Sequence, residues 1–340
     1  MSAVQDSPAA ASTDRDEAGE RRSGRRPWMA ILGAVVSVLS LAGVVWWALG
    51  QEAPTLPDTG ARWAALIGAI ALYGLATCVR GERWHALLRH NGARPQRADA
   101  YALVAVGYMG NNVLPARAGD AFRVVFMAPR ASTGNRTVIG TLLAERLLDV
   151  AVLGCAFLVL TFGVVDHAGL PSGSRLRVAA AAVVVLGVLA AIVVLVAHRA
   201  GHLARLWAFI APMIAATARL RGRHGAAMLA TTLVVWALEA GVWWATGEAA
   251  GLELGAVEAC YLLALASMFA MVPSGPGYAG TMDAAIIFGA RVLDRAPSAA
   301  LSYLLLLRFV LFVPLTFVGL VLLVVRYGGW ERLRALRGTA

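Results

Sequence analysis

Residues 111–123 read NNVLPARAGDAFR and place a proline, a glycine and three charged side chains inside an otherwise apolar stretch, 99–127. Proline removes a backbone donor and breaks a helix. Each flank of the interruption is mostly shorter than the roughly 20 residues that a helix needs to cross a hydrocarbon core. The pattern therefore predicts a re-entrant helical hairpin. A second interruption, PSGPGYAG at 273–280, predicts a second hairpin over 256–292.

Long apolar segments surround these two hairpins. The 340 residues are 59% hydrophobic and 15% charged, whereas about 25% charged is usual for a soluble domain. The sequence therefore predicts an all-α integral membrane protein with six transmembrane helices and two re-entrant helical hairpins. The six predicted spans are 28–49, 63–79, 138–165, 176–197, 226–246 and 301–325.

Polar segments flank this membrane domain, which we place at 28–326. Residues 1–27 predict a disordered tail because they are rich in small and charged residues. Residues 199–223 have apolar side chains at helical spacing between arginines, which indicates an amphipathic segment on the cytoplasmic leaflet. Residues 327–340 form a basic tail.

Arginine placement predicts the orientation. The net charge is +10, and all 30 basic residues are arginine. With both hairpins re-entrant, 21 arginines lie on the side of the two termini and five on the other side. Cytoplasmic loops concentrate arginine, so we expect both termini in the cytoplasm and the protein in the inner membrane. The positive charge thus reports orientation and contact with anionic lipid, and nucleic-acid binding is not expected.

The topology contains two units of opposite sense. Each has a span, a hairpin and a second span, over 63–165 and 226–325. Many transporters use such an inverted repeat to place a substrate site near the membrane midplane.

Charged residues at membrane depth define the candidate site. Non-helical backbone is tolerated there only when it is buried in protein or lines a wet cavity, and ionisable residues there mark substrate or ion pathways. An arginine beside a half-helix amino terminus suits a phosphate group. Glu145 and Asp149 lie one turn apart on one helix face. The predicted substrate-binding residues are Asn112, Arg117, Asp120, Arg123, Glu145, Arg146, Asp149, Gly275, Gly277, Asp283 and Arg308.

A structural alternative exists for the same residues, in which the charges pair across helices and hold the hairpins in place. Glu239, which lies near three tryptophans, is interpreted as a packing or interface residue. The three cysteines and six histidines form no metal-binding pattern. We find no catalytic motif, so we expect no enzyme activity, no metal and no cofactor.

The interrupted segments together resemble a known family. The matching motifs are the string from Asn112 to Arg123, the Glu145-Arg146 pair with Asp149, the break from Pro273 to Tyr278 with Gly280, and Arg308 with Pro314. Over about residues 28 to 326 they resemble the flippase-like membrane region of lysylphosphatidylglycerol synthases. The resemblance implies traffic of lipids or lipid-linked glycans. The chain ends about 14 residues after the last predicted span, so we expect no aminoacyl-transferase domain and no synthase reaction.

Three functions fit this sequence. The first is a lipid translocase, in which Arg117, Arg123 and Arg308 hold the phosphate of an anionic phospholipid or a polyprenyl-phosphate-linked glycan. The second is an accessory protein that presents a lipid-linked sugar to a partner glycosyltransferase. The third is an intramembrane transferase with Glu145 or Asp149 as general base, which the absence of a nucleophile motif disfavours.

Overall fold

The computed structural model describes residues 46, 49–50, 56–114, 119–167, 222–270 and 276–328. Within these ranges every regular element is helical. The predicted span 176–197 lies outside the described residues, as do almost all of the span 28–49, most of the amphipathic segment 199–223, and nearly all of both terminal tails.

Four long helices and four short ones form the described structure, with a 3₁₀ turn at Pro276–Tyr278. The long helices are α1 (Gly60–His90), α4 (Asn135–His167), α5 (Gly222–Ala250) and α8 (Pro297–Tyr327). The short helices are α2 (Arg97–Val113), α3 (Gly119–Arg130), α6 (Ala256–Phe269) and α7 (Thr281–Val292).

The long helices coincide with four of the predicted spans. Among the described residues, α1, α5 and α8 are long and apolar enough to cross a membrane. Their outward faces carry large apolar side chains, such as Ile67 at 64% and Phe317 at 67% exposure. Apolar surface of this kind normally marks contact with a membrane or a partner. The membrane character of the protein is therefore confirmed, whereas the count of six spans stays a prediction.

Helix α1 is longer than the sequence predicted. The predicted span ends at Val79, which places Arg80 and Arg83 in the loop that follows and among the 21 arginines on the side of the two termini. In the structure α1 continues to His90, and both arginines are buried within it. The prediction for these two residues was wrong because carboxylates on other helices pair with both arginines and allow their burial, and the sequence next to them does not reveal those partners. Without these two residues, the predicted topology still has more arginines on the side of the two termini than on the other side.

The short helices occupy the two predicted hairpin regions. They contain 17, 12, 14 and 12 residues, and at about 1.5 Å per residue none reaches the roughly 30 Å of a hydrocarbon core. Within each region the two halves pack against each other, α2 on α3 and α6 on α7.

The helices pack in two equivalent sets. The helix α2 packs on α8, and α6 packs in the same way on α4. The pairs α1 with α2 and α3 with α4 likewise correspond to α5 with α6 and α7 with α8. The most extensive packing joins α1 to α5. Each hairpin region therefore leans on the last long helix of the other unit, and the two units interlock.

Candidate functional site

Two carboxylates from α4 enter the protein interior and bind a single arginine. Glu145 and Asp149 are both buried, and so is Arg83 of α1. The Arg83 guanidinium donates to Asp149 at 2.8 and 3.2 Å and to Glu145 at 3.1 Å. It also donates to the Thr232 hydroxyl of α5 at 2.9 Å. The one-turn spacing of the two carboxylates thus lets one guanidinium bridge both of them.

A second arginine shares Glu145 from the opposite side. Arg123 of α3 is buried, and its Nη2 donates to Glu145 Oε2 at 2.8 Å. Its guanidinium lies 4.1 Å from the centre of the Trp84 ring, which α1 supplies. A cation over an aromatic face gains further electrostatic stabilisation when it is desolvated. Glu145 therefore joins α1, α3 and α4 through two arginines.

A more open ion pair extends this arrangement. Arg146 Nη2 lies 3.2 Å from Asp120 Oδ2, and both side chains are half-buried. Asp120 is also 3.9 Å from Nη1 of Arg123, which follows it by three residues in α3, so this ion pair is long. We call the connected group of six residues the charged cluster. Its members are Arg83, Asp120, Arg123, Glu145, Arg146 and Asp149.

The charged cluster is balanced in charge but not fully hydrogen-bonded. It holds three arginines and three carboxylates, and a buried charge without a partner would cost several kcal/mol. Two of its buried donors, Arg83 Nε and Arg123 Nε, have no hydrogen-bond partner among the residues that the structure describes. Unpaired buried donors are uncommon in proteins, and such a donor usually bonds to an oxygen of a ligand or of water. The charged cluster therefore has hydrogen-bonding capacity that the described part of the protein does not use.

A further buried ion pair lies between α1 and α5. Arg80 Nη2 contacts Glu239 Oε1 at 2.7 Å, and the guanidinium lies within 6 Å of the ring centres of Tyr108 and Trp236. The Trp236 indole donates to Asp149 at 3.3 Å, which links this pair to the charged cluster. The carboxylate of Glu239, interpreted from the sequence as a packing or interface residue, thus forms an ion pair across the two units.

The second interruption has its own arginine. Arg308 of α8 donates from Nε to Asp283 Oδ1 at 2.6 Å and from Nη1 to the Gly277 carbonyl at 2.6 Å. Asp283 Oδ2 in turn accepts from the Gly280 backbone N–H at 2.8 Å. Arg308 therefore holds both the carboxylate and the backbone of the break.

The two interruptions meet in space. The 3₁₀ turn that contains Gly277 packs on α2, and a Cβ placed on Gly277 would lie 3.5 Å from the Asn112 carbonyl oxygen. Asn112 donates from its amide to the Thr316 hydroxyl of α8 at 2.9 Å. The end of α2 before the first break is thus held against the second break.

Replacing Gly277 with alanine should loosen this junction. Gly277 has a φ of 62°, and an added Cβ would lie 2.9 Å from the Phe312 ring. Left-handed backbone and overpacking each cost about 1–3 kcal/mol. We expect a lower thermal midpoint for Gly277→Ala in detergent. Gly68→Ala in α1, where nothing lies within 4 Å, is the control and should match or exceed the wild type. Equal midpoints for the two variants would contradict the strained turn.

The structure describes nine of the eleven predicted site residues and places them in two groups. Arg117 and Gly275 lie outside the described residues. Asp120, Arg123, Glu145, Arg146 and Asp149 belong to the charged cluster, while Asn112, Gly277, Asp283 and Arg308 lie around the second break. In the described ranges no ion pair joins Arg308 to the charged cluster.

Sequence reasoning missed the central arginine of the site. Arg83 was placed in a loop, although Trp84, Leu87 and Leu88 continue the apolar pattern beyond it and are buried. That continuation is the signal that would have extended the predicted helix beyond Val79 and placed both Arg80 and Arg83 within it.

Comparison with known proteins identifies the family of this chain. A family model described as the lysylphosphatidylglycerol synthase TM region matches residues 30–319. A curated relative, "Glycosyltransferase AglD" of Haloferax volcanii, is 30% identical over 132 residues, which is 38% of this chain. The match spans only 21% of that relative's length. Because the family model covers most of the chain, the protein belongs to the family of the lysylphosphatidylglycerol synthase TM region.

Proposed function

We propose that this protein is a lipid translocase whose charged cluster binds the phosphate of an anionic phospholipid or a polyprenyl-phosphate-linked glycan. The observation that carries the proposal is a group of three arginines inside a membrane domain, two of which are buried and each have one donor that no described residue accepts from. Arginine is well suited to phosphate because its planar fork matches two oxygens. Membership of the lipid-related family supports the same role.

The half-buried pair of Arg146 and Asp120 is the proposed entry point for the phosphate. It is the most exposed ion pair of the charged cluster. A phosphate oxygen replaces the Asp120 carboxylate on Arg146, which keeps the arginine paired while the lipid is bound. Deeper in the cluster, Glu145 and Asp149 hold Arg83 and Arg123 in place.

The proposed topology gives such a site access to both leaflets. We propose that α2 with α3 and α6 with α7 are re-entrant hairpins that enter from opposite sides of the inner membrane, with both termini in the cytoplasm. Their short lengths and the equivalent packing of the two units support this arrangement. Arg117, at the first break, is proposed to contribute to the same phosphate site. The protein acts as a carrier in this proposal, without a catalytic centre of its own.

Reconstitution tests the translocase proposal. Purified protein in liposomes should move fluorescently labelled phosphatidylglycerol between leaflets. Arg146→Gln should slow the movement about tenfold or more, since a hydrogen bond to a charged group contributes roughly 1.5–3 kcal/mol. Arg117→Ala should have a similar effect. The control is Arg136→Gln, an exposed position on the same helix as Arg146, which should match the wild type. Equal rates for Arg146→Gln and wild type would reject the phosphate site.

A second candidate function rests on the relative from Haloferax volcanii, whose name is that of a glycosyltransferase. In this alternative the protein binds a lipid-linked sugar and presents it to a partner glycosyltransferase. Binding of polyprenyl-phosphate lipid by the wild type without movement between leaflets, together with weaker binding by Arg146→Gln, would favour presentation over translocation.

A further inference from the structure

The two units carry equivalent arginine–aspartate pairs. Arg146 is the twelfth residue of α4, and Arg308 is the twelfth residue of α8. Each pairs with an aspartate in the first turn of the returning half-helix of its own unit, Asp120 in α3 and Asp283 in α7. We call the pair Arg146–Asp120 the first latch and the pair Arg308–Asp283 the second latch.

The second latch is shut. Arg308 Nε is 2.6 Å from Asp283 Oδ1, and the Asp283 side chain is only 6% exposed. Arg308 also donates to the carbonyls of Gly277 and Tyr278. The Asp283 carboxylate accepts the Gly280 N–H as well. The returning half-helix and the turn before it are therefore tied to α8 through several charge-assisted hydrogen bonds, which are the stronger ones in proteins.

The first latch is looser. Arg146 donates to both oxygens of Asp120 from one nitrogen, at 3.3 and 3.2 Å. The two side chains are 35% and 28% exposed, against 22% and 6% for the second latch. Equivalent parts of two equivalent units are thus held in different states.

The packing couples the two latches. Each hairpin region rests on the last long helix of the other unit, α2 on α8 and α6 on α4. A shift of α8 that frees Asp283 therefore also moves the helix against which α2 packs. Packed interfaces tend to have discrete arrangements rather than deform continuously.

We propose that the two latches open alternately. The structure is the state in which the second latch is shut and the first latch is loosened but still paired, and its counterpart has the first latch shut and the second latch loosened. This inference rests on the proposed translocase function, in which units of inverted topology expose one central site to opposite leaflets in turn. The latches, rather than the deep part of the charged cluster, then govern which leaflet the site faces.

Thiol labelling tests the exchange without any transport measurement. Single cysteines replace Ala121, exposed beside the first latch, or Ala279, half-buried beside the second latch, in a chain whose Cys78, Cys155 and Cys260 are changed to serine. With both latches native, N-ethylmaleimide should label position 121 faster than position 279.

Breaking the second latch should reverse this order. With Asp283→Asn, labelling at 279 should rise and labelling at 121 should fall, each by about tenfold, which corresponds to about 1.4 kcal/mol. Arg308→Lys keeps the charge but loses the fork and should give the same reciprocal change if Asp283→Asn does not fold. Glu258→Gln is the control, because it removes the ion pair with Arg295 in the same unit, outside both latches, and should leave both rates unchanged.

The outcomes separate the inference from the function on which it rests. A rise at 279 without a fall at 121, in both latch variants, would overturn alternate opening and leave only local loosening. Reciprocal labelling in a protein that moves no lipid would reject the translocase and keep the latches. Lipid movement with non-reciprocal labelling would reject the latches and keep the translocase.

Discussion

Replacing Arg83 with methionine should destabilise the protein more than any other single charge removal in the described structure. Arg83 is 1% exposed and is the main partner of Asp149 and one of two partners of Glu145. Removing one member of a buried ion pair costs about 3–5 kcal/mol because the other charge stays buried without compensation. We expect a large drop in the thermal midpoint of the purified protein in detergent.

A control variant and a double variant test whether the loss comes from the unpaired buried charges. Arg89→Met changes an exposed arginine on the same helix, and exposed substitutions usually change stability by no more than about 0.5 kcal/mol. The double variant Arg83→Met with Asp149→Asn should recover part of the loss, because one of the stranded charges is gone. If Arg83→Met and Arg89→Met unfold at the same temperature, Arg83 does not organise the charged cluster.

The second large effect should come from Gly119, where the first hairpin region folds back on itself. A Cβ on Gly119 would overlap the carbonyl oxygen of Gly107 and would lie 2.6 Å from the backbone nitrogen of Asn111. The Gly119 N–H also donates to the Asn111 side chain at 3.0 Å. Because the obstacles are backbone atoms, α2 and α3 must separate. We expect Gly119→Ala to cost about 3 kcal/mol, at the upper end for overpacking.

This separation should also impair the site. Asp120 and Arg123 follow Gly119 in α3, and the Arg123 stem lies against Gly107. Gly119→Ala should therefore reduce lipid movement in liposomes as well as the thermal midpoint. Gly140→Ala in α4 is the control, since nothing lies within 4 Å of an added Cβ and alanine favours a helix by about 1 kcal/mol over glycine. A Gly119→Ala protein as stable as Gly140→Ala would mean that the two half-helices are not in close contact.

The sequence was most informative where the backbone itself is constrained. The two Pro/Gly interruptions correctly predicted where long apolar helices give way to pairs of short ones. The spacing of Glu145 and Asp149 correctly predicted a shared face, and both side chains do meet Arg83. These features are local, because proline geometry and helical periodicity act over a few residues.

The same local reasoning could not predict which residues pair with these charged side chains. Arg83 lies 62 residues from Glu145 along the chain, and Arg80 lies still farther from Glu239. Arg123 and Arg308 each have a carboxylate partner, Glu145 and Asp283, and the alternative of charges that pair across helices did not say which arginine meets which carboxylate. Which of several buried arginines meets which carboxylate depends on helix packing between units, and a single sequence carries no direct record of it.

The sequence by itself determined that the chain is a helical membrane protein with two interrupted segments and charged residues within apolar stretches, because hydropathy, proline and helical periodicity are properties of short windows. The tertiary structure decided which charges pair. Arg83 lies at the centre of the charged cluster, and Arg308 pairs with Asp283 at the second break. The physical reason is that a buried charge must find a partner of opposite sign wherever packing brings one within reach. In an interlocked pair of units that partner usually comes from a distant helix.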